Sequence, residues 1–216
     1  MSGNPVIGLV TATMLEAVPL IRDLALREWE SEPFIICGDD RIALIISGIG
    51  RANAAMACAY FIQTCRPKLV CNLGASGATD RQCRLGESYH IARVIEPDRP
   101  DLRKGVPHEQ IPDVLDGFAI ATLATQDRPL RDPAERGKVA MHAQLADMEG
   151  AAVVQACRRF HVKCFLFKFV SDTPDHRQSD DIVRNIELYR DTHSQFFKDF
   201  ALPRLLSLTG SKGGSG

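Results

Sequence analysis

The chain lacks any run approaching the ~18 apolar residues of a membrane-spanning helix, and its first residues show no charged stretch leading into an apolar signal core. A cytoplasmic protein without a membrane association is therefore expected. Blocks of one charge are missing too: 26 basic and 27 acidic residues are interspersed, for a net charge of -1. That leaves no electrostatic footprint for nucleic acid or an anionic membrane, so a small neutral or weakly charged ligand is the expected partner. No two cysteines have the spacing C-x-x-C. The seven present (Cys37, Cys58, Cys65, Cys71, Cys83, Cys157, Cys164) are odd in number and lie mostly inside apolar runs, the pattern of buried free thiols. The six histidines show no metal-ligand spacing, and neither a metal nor a cofactor is expected. Internal repeats and linkers are absent from the sequence as well.

What is there is an alternation of short apolar runs with helical patterns. A chain of 216 residues can bury about two thirds or more of its unfolded surface around one core. Pro5 to Thr11 reads as a buried strand, and Met14 to Arg27 as a helix with Leu15, Val18, Ile21, Leu24 and Ala25 on one face. Glu16 falls in the first turn of that helix, where the helix dipole alone would favour a carboxylate. Phe34 to Cys37 and Ile42 to Ser47 flank a turn and suggest a hairpin. Ser47-Gly48-Ile49-Gly50 leads into a small-residue helix, Arg51 to Cys65. A strand at Leu69 to Leu73 precedes a second glycine-bearing loop, Gly74 to Ala78, and such loops let backbone approach a ligand closely.

Glu87 to Ile95 and Phe118 to Ala124 read as further strands. Between them, Glu96 to Gly117 is rich in proline and charge and reads as a loop that could lie over a site. Thr125 to Gly137 reads as loop with at most a short helix. Ser179-Asp180-Asp181 is expected to cap a C-terminal helical region. The expectation is one three-layer α/β/α domain with a central mixed sheet over residues 1–209, followed by a flexible tail at 210–216.

The segment Ala143 to Asp175 organises the rest. Asp147-Met148-Glu149 sits where an apolar strand runs into a helix, and Ser171-Asp172 follows the strand Cys164 to Val170. Both acidic groups should open onto the carboxyl edge of the sheet, where open α/β sheets bind ligands.

Four separated segments together resemble the nucleoside phosphorylase superfamily, and within it the 5'-methylthioadenosine/S-adenosylhomocysteine nucleosidases. They are Ile7-Gly8-Leu9-Val10 through Glu16; Ser47-Gly48-Ile49-Gly50; Asn72-Leu73-Gly74-Ala75-Ser76-Gly77; and Asp147-Met148-Glu149-Gly150 followed by Lys168-Phe169-Val170-Ser171-Asp172. The resemblance implies that Glu16 orders and deprotonates an attacking water, and that Glu149 accepts hydrogen bonds from the ribose hydroxyls, with Met148 packed against the sugar. It further implies that Asp172, positioned by Ser171, binds the purine and supplies a proton to it. Ile49, Ser76 and Gly77 would line the pocket, and the backbone at Val170 would lie near the base. A homodimer is implied too.

Cleaving an N-glycosidic bond makes the same demands independently. Positive charge develops on the sugar and negative charge on the base, which calls for an anion, a proton donor and a nucleophile in one site. Departures from the family pattern are Ala75 in place of Ser, Lys168 in place of Arg, Thr13 in place of Met, the compressed 96–117 segment, and no aromatic residue in Thr125 to Pro129. The alternatives are a phosphorylase, which would need several cations for a phosphate dianion, and a non-catalytic nucleoside-binding member of the same fold.

Overall fold

The computed structural model describes residues 6–100, 107–176 and 178–210. In chain order the elements begin with β1 (Ile7–Thr11), α1 (Met14–Asp23), β2 (Arg27–Glu30), β3 (Ile36–Gly38), β4 (Ile42–Ile46) and α2 (Arg51–Cys65). There follow β5 (Leu69–Ala78), β6 (Ser88–Pro100), β7 (Pro107–Gln110), β8 (Ile120–Thr125), α3 (Pro133–Ala140) and β9 (Leu145–Asp147). The chain closes with α4 (Gly150–Arg159), β10 (Lys163–Asp172), α5 (Ser179–Phe196), a π-helical turn (Phe197–Ala201) and α6 (Leu202–Gly210).

Side chains alternate across the sheet and feed two separate cores. In β1, Leu9 joins a core with Leu20 of α1, Phe197 and Leu205, while the next residue, Val10, joins another with Ala57 and Phe61 of α2 and Val153 of α4. Helices α2 and α4 thus cover one face, and α1, α5, the π turn and α6 the other. This is the expected three-layer arrangement, with β1 parallel to β4 and β5, and β2, β3 and β4 joined antiparallel. The sheet is therefore mixed.

Closure is the feature that places the site. β10 pairs with β5 and β6, β6 with β8, β8 with β9, and β9 returns to β5, so five strands form a ring. Strand β5 can serve three partners, β10, β1 and β9, because it is ten residues long. It runs straight through Gly74 to Ala78, where a loop was expected. β9 is antiparallel to β5, so Asp147 and Glu149 come to the site from a strand running against β1, β5 and β10, and not along one common carboxyl edge.

Other boundaries moved for local reasons. Ala25 takes φ 53, which ends α1 early and turns the chain into β2, an edge strand whose charged Arg27, Glu28 and Glu30 carry no apolar signal. The residue flanking α5 is Gln178, with Asp180 and Asp181 in the first turn, so the Ser-Asp-Asp cluster lies inside the helix. Gly210 ends α6, and the rest of the expected tail, 211–216, lies outside the described residues. The proline-rich segment builds strand: β6 extends to Pro100 and pairs with β7. Residues 111–119 are strapped to the sheet edge. The Asp113 N–H donates to the Cys164 carbonyl and its carboxylate accepts from the Cys164 N–H, each at 2.8 Å. None of the described residues between Glu96 and Gly117 lines the cavity described below.

His90 locks this strap. Buried and stacked 4.3 Å from Phe167, it bonds the Leu166 carbonyl through Nδ1 at 2.8 Å and accepts the Leu115 N–H at Nε2, also at 2.8 Å. That pairing fixes a neutral ring, consistent with burial pulling its pKa below the ordinary value. All seven cysteines are free and buried. Among the described residues no helix is long and apolar enough to cross a membrane.

His90→Ala should leave a buried N–H and carbonyl unpaired beside a void, lowering unfolding free energy by about 3 kcal/mol. Urea denaturation measures it; a loss below ~1 kcal/mol would show that the strap is not held by this ring.

Candidate active site

Glu16 is fixed by local sequence. Thr13 caps α1, and the Glu16 carboxylate folds back to accept from the Thr13 N–H at 2.9 Å and the Thr13 hydroxyl at 2.8 Å. Its other oxygen accepts the Ala75 N–H at 2.8 Å, tying α1 to β5. The glycines of β5 make this approach possible. A Cβ on Gly74 would lie 2.7 Å from Glu16 Oε1, and one on Gly77 2.7 Å from Asp172 Oδ2. The backbone space expected to admit a ligand admits the two carboxylates.

Asp172 owes its aim to a β-bulge. Val170 pairs with Ser76 and Asp172 with Gly77, so Ser171 is an extra residue in β10. This lets the Ser171 hydroxyl reach both Asp172 Oδ1 at 3.0 Å and the Ser76 carbonyl at 3.2 Å. Oδ2 accepts from the guanidinium of Arg136, in α3, at 2.8 Å. Both partners of that ion pair are buried.

Glu149 follows β9 and accepts the Gly50 N–H at 2.8 Å. Beneath it, Asp147 is gripped by the Thr125 hydroxyl at 2.6 Å, the Gly150 N–H at 2.8 Å and the Lys168 ammonium at 2.9 Å. Burial, reinforced by the Asp147 charge, pushes the Glu149 carboxyl up to about 7, against the opposing pull of Lys168 and the Gly50 N–H. Burial pulls the Lys168 ammonium down, but Asp147, Glu149 and Glu16 outweigh it and hold the group above its ordinary value.

One cavity of about 330 Å³ joins these groups. Glu16, Glu149 and Asp172 all line it, together with Ile49, Ser76, Gly77, Met148 and Ser171. Val170 does not. Its N–H donates to the Glu87 carbonyl and its carbonyl accepts the Gly86 N–H. Ala12, Thr13, Leu15 and Ala75 line the cavity as well, and the cations among its described lining residues are Arg128, Arg131 and Arg136. Arg22 and Arg51 lie off the cavity and are bound to carboxylates, Asp23 and Asp191 for the first, Glu96, Asp98 and Asp127 for the second. Among the described residues no group of three or more His, Cys, Asp or Glu could hold a metal ion.

The family model described as the phosphorylase superfamily matches residues 6–121 and 117–201. The chain belongs to that superfamily. A 5'-methylthioadenosine/S-adenosylhomocysteine nucleosidase of Geobacillus sp. (strain WCH70) is 25% identical over 92% of this chain and 97% of its own length. The crystal structure of the Helicobacter pylori enzyme of the same name superposes with a TM-score of 0.81 at 15% identity, covering 96% of this chain and 100% of that one. Futalosine hydrolase of Helicobacter pylori strain 26695 gives 0.81 at 16% identity, covering 93% and 98%. At these identities the two structures show the fold.

Within that family frame, the sequence reading missed the far wall of the cavity: Arg128, Leu130, Arg131 and Arg136, and Ile182, Val183 and Ile186 of α5. A signal for α3 was available, because Asp132 caps it by accepting the Glu135 N–H and Pro133 occupies its first turn. What it packs against could not be read.

Glu149→Gln tests the electrostatics. A carboxyl whose folded value is about 7 against an ordinary 4.5 opposes folding increasingly as pH rises through that window, and fully above it. The variant's stability relative to the parent should therefore improve by on the order of 2 kcal/mol between about pH 5 and about pH 8.5. Urea melts at the two pH values check this; a pH-independent difference contradicts it.

Proposed function

We propose that this member of the superfamily is a nucleosidase that hydrolyses the N-glycosidic bond of a purine nucleoside, with an adenine-containing one preferred, releasing free base and a ribose derivative. The observation that carries the reading is the sharing of one cavity by Glu16, Glu149 and Asp172. The names of the relatives point the same way.

The chemistry follows from the placement. Glu16 accepts a proton from water, whose oxygen bonds to C1' as the bond from C1' to N9 breaks and its electron pair passes to the base. Glu149, with Met148 beside it, holds the ribose hydroxyls and offsets positive charge on the sugar; it does this in its ionised form, which dominates above about pH 7. Asp172 holds the base, accepts from a 6-amino group, and passes the base its proton. Ile49, Ser76, Gly77 and Ser171 complete the sugar and base contacts, and neither metal nor cofactor takes part. The working form is a homodimer in the cytoplasm: Ala52, Ala55 and Ala59 of α2 with Ala152 and Ala156 of α4 line a groove whose small residues allow a second copy close approach, and buried free thiols suit a reducing compartment.

Free-base release from a panel of purine nucleosides, followed by chromatography with and without phosphate, tests the reading. Phosphate-independent release is expected, with Glu16→Gln and Asp172→Asn each slower by about 10²- to 10⁴-fold. Ribose 1-phosphate as product would make the protein a phosphorylase; no release from any member of the panel would leave a nucleoside-binding protein.

A further inference from the structure

Of the three arginines that line the cavity, Arg136 alone is buried, and the reaction scheme above does not use its charge. Its side chain is buried to 7% exposure, yet it borders the cavity on the same side as Asp172 and Ser171. It donates to the backbone carbonyls of Ala78 and Leu130 and to Asp172 Oδ2. These bonds use three of the five N–H groups of a guanidinium, leaving two. Three anchors on three separate elements, β5, the turn before α3 and β10, hold the group rigidly. Burying a cation in this way is costly unless its charge is met, and a fold that needed only to satisfy Asp172 could do so with a neutral donor such as Ser171.

The departing base is the second partner the geometry provides for. As the glycosidic bond breaks, the base gains an electron pair. Asp172 accepts from Arg136 at Oδ2, and without that pairing a carboxylate there would repel the developing anion. We infer that Arg136 is a catalytic residue for leaving-group departure, stabilising the purine as an anion so that protonation of the base follows bond cleavage. The inference rests on the nucleosidase reading and deepens it. The step balances: the electron pair passes from the bond to the base beside the guanidinium, the proton that Glu16 took from water returns to solvent, and one reaches the base through Asp172. One water is consumed and no net charge remains.

A series of 6-substituted purine ribosides whose free bases differ in acidity at N9 tests this with the whole enzyme, by comparing kcat for the parent, Arg136→Met and Arg136→Lys. The parent should be nearly insensitive to base acidity, because the guanidinium carries the charge. In Arg136→Met, kcat should fall about 10²-fold or more on the least acidic base and about tenfold or less on the most acidic, giving a steep dependence. Arg136→Lys, which keeps the charge, should lie between the two. Parallel dependences for parent and variants, whatever their absolute rates, would mean that Arg136 only holds the structure and would overturn the inference, as would an unchanged kcat in Arg136→Met. A parent that releases no base from any riboside in the series sinks the nucleosidase reading itself, a different result.

Discussion

The ion pair between Lys168 and Asp147 is the constraint on which the site depends. Both side chains are almost completely withdrawn from water, and removing either would leave a naked charge beneath the cavity. The desolvation cost is met by further bonds: Asp147 also accepts from Thr125 of β8 and from the first N–H of α4. One carboxylate thereby joins β8, β9, α4 and β10. Glu149 stands two residues along from it, so its position is inherited from this junction, and so is its reluctance to ionise.

The three acids of the cavity are held in three different ways. Glu16 is gripped by the capping residue of its own helix and by a strand N–H. Glu149 hangs from a single backbone N–H and depends on Lys168 for its charge. Asp172 is turned by a bulge and clamped between a hydroxyl and a guanidinium. Chemically identical groups thus acquire separate capacities through the donors around them, which is how carboxylates at one site come to perform unlike tasks. Glycines at 74 and 77 belong to this arrangement because any larger residue there would occupy the space of a carboxylate oxygen.

Much of this could be read from the chain. Apolar runs with β-branched residues located most of the interior strands, since burial on both faces leaves an unmistakable pattern, and the acids at 16, 149 and 172 stood at the ends of elements where a ligand could reach them. The failures have physical reasons. Strand β2 is polar because it lies at an edge. The glycine segment of β5 reads as loop because its partners across the sheet, β10 and β9, lie far away in sequence. The direction of β9 is set by ring closure, which three residues of local pattern cannot encode. Arg136 sits in a stretch dominated by charge and proline, where a buried guanidinium looks like any solvated one until its partner, 36 positions away, is known.

Ring closure also partitions the cavity. Glu16 and Glu149 are tied to backbone N–H groups of β5 and of the turn leading into α2, whereas the opposite wall, from Arg128 to Arg136, belongs to the crossover between two strands of the ring. Because crossovers can change length and composition while the strands they join keep their register, the stretch from Arg128 to Arg131 can be rewritten while Arg136 and the acids persist. A lineage with this architecture could exchange one nucleobase for another by editing a single short stretch of chain.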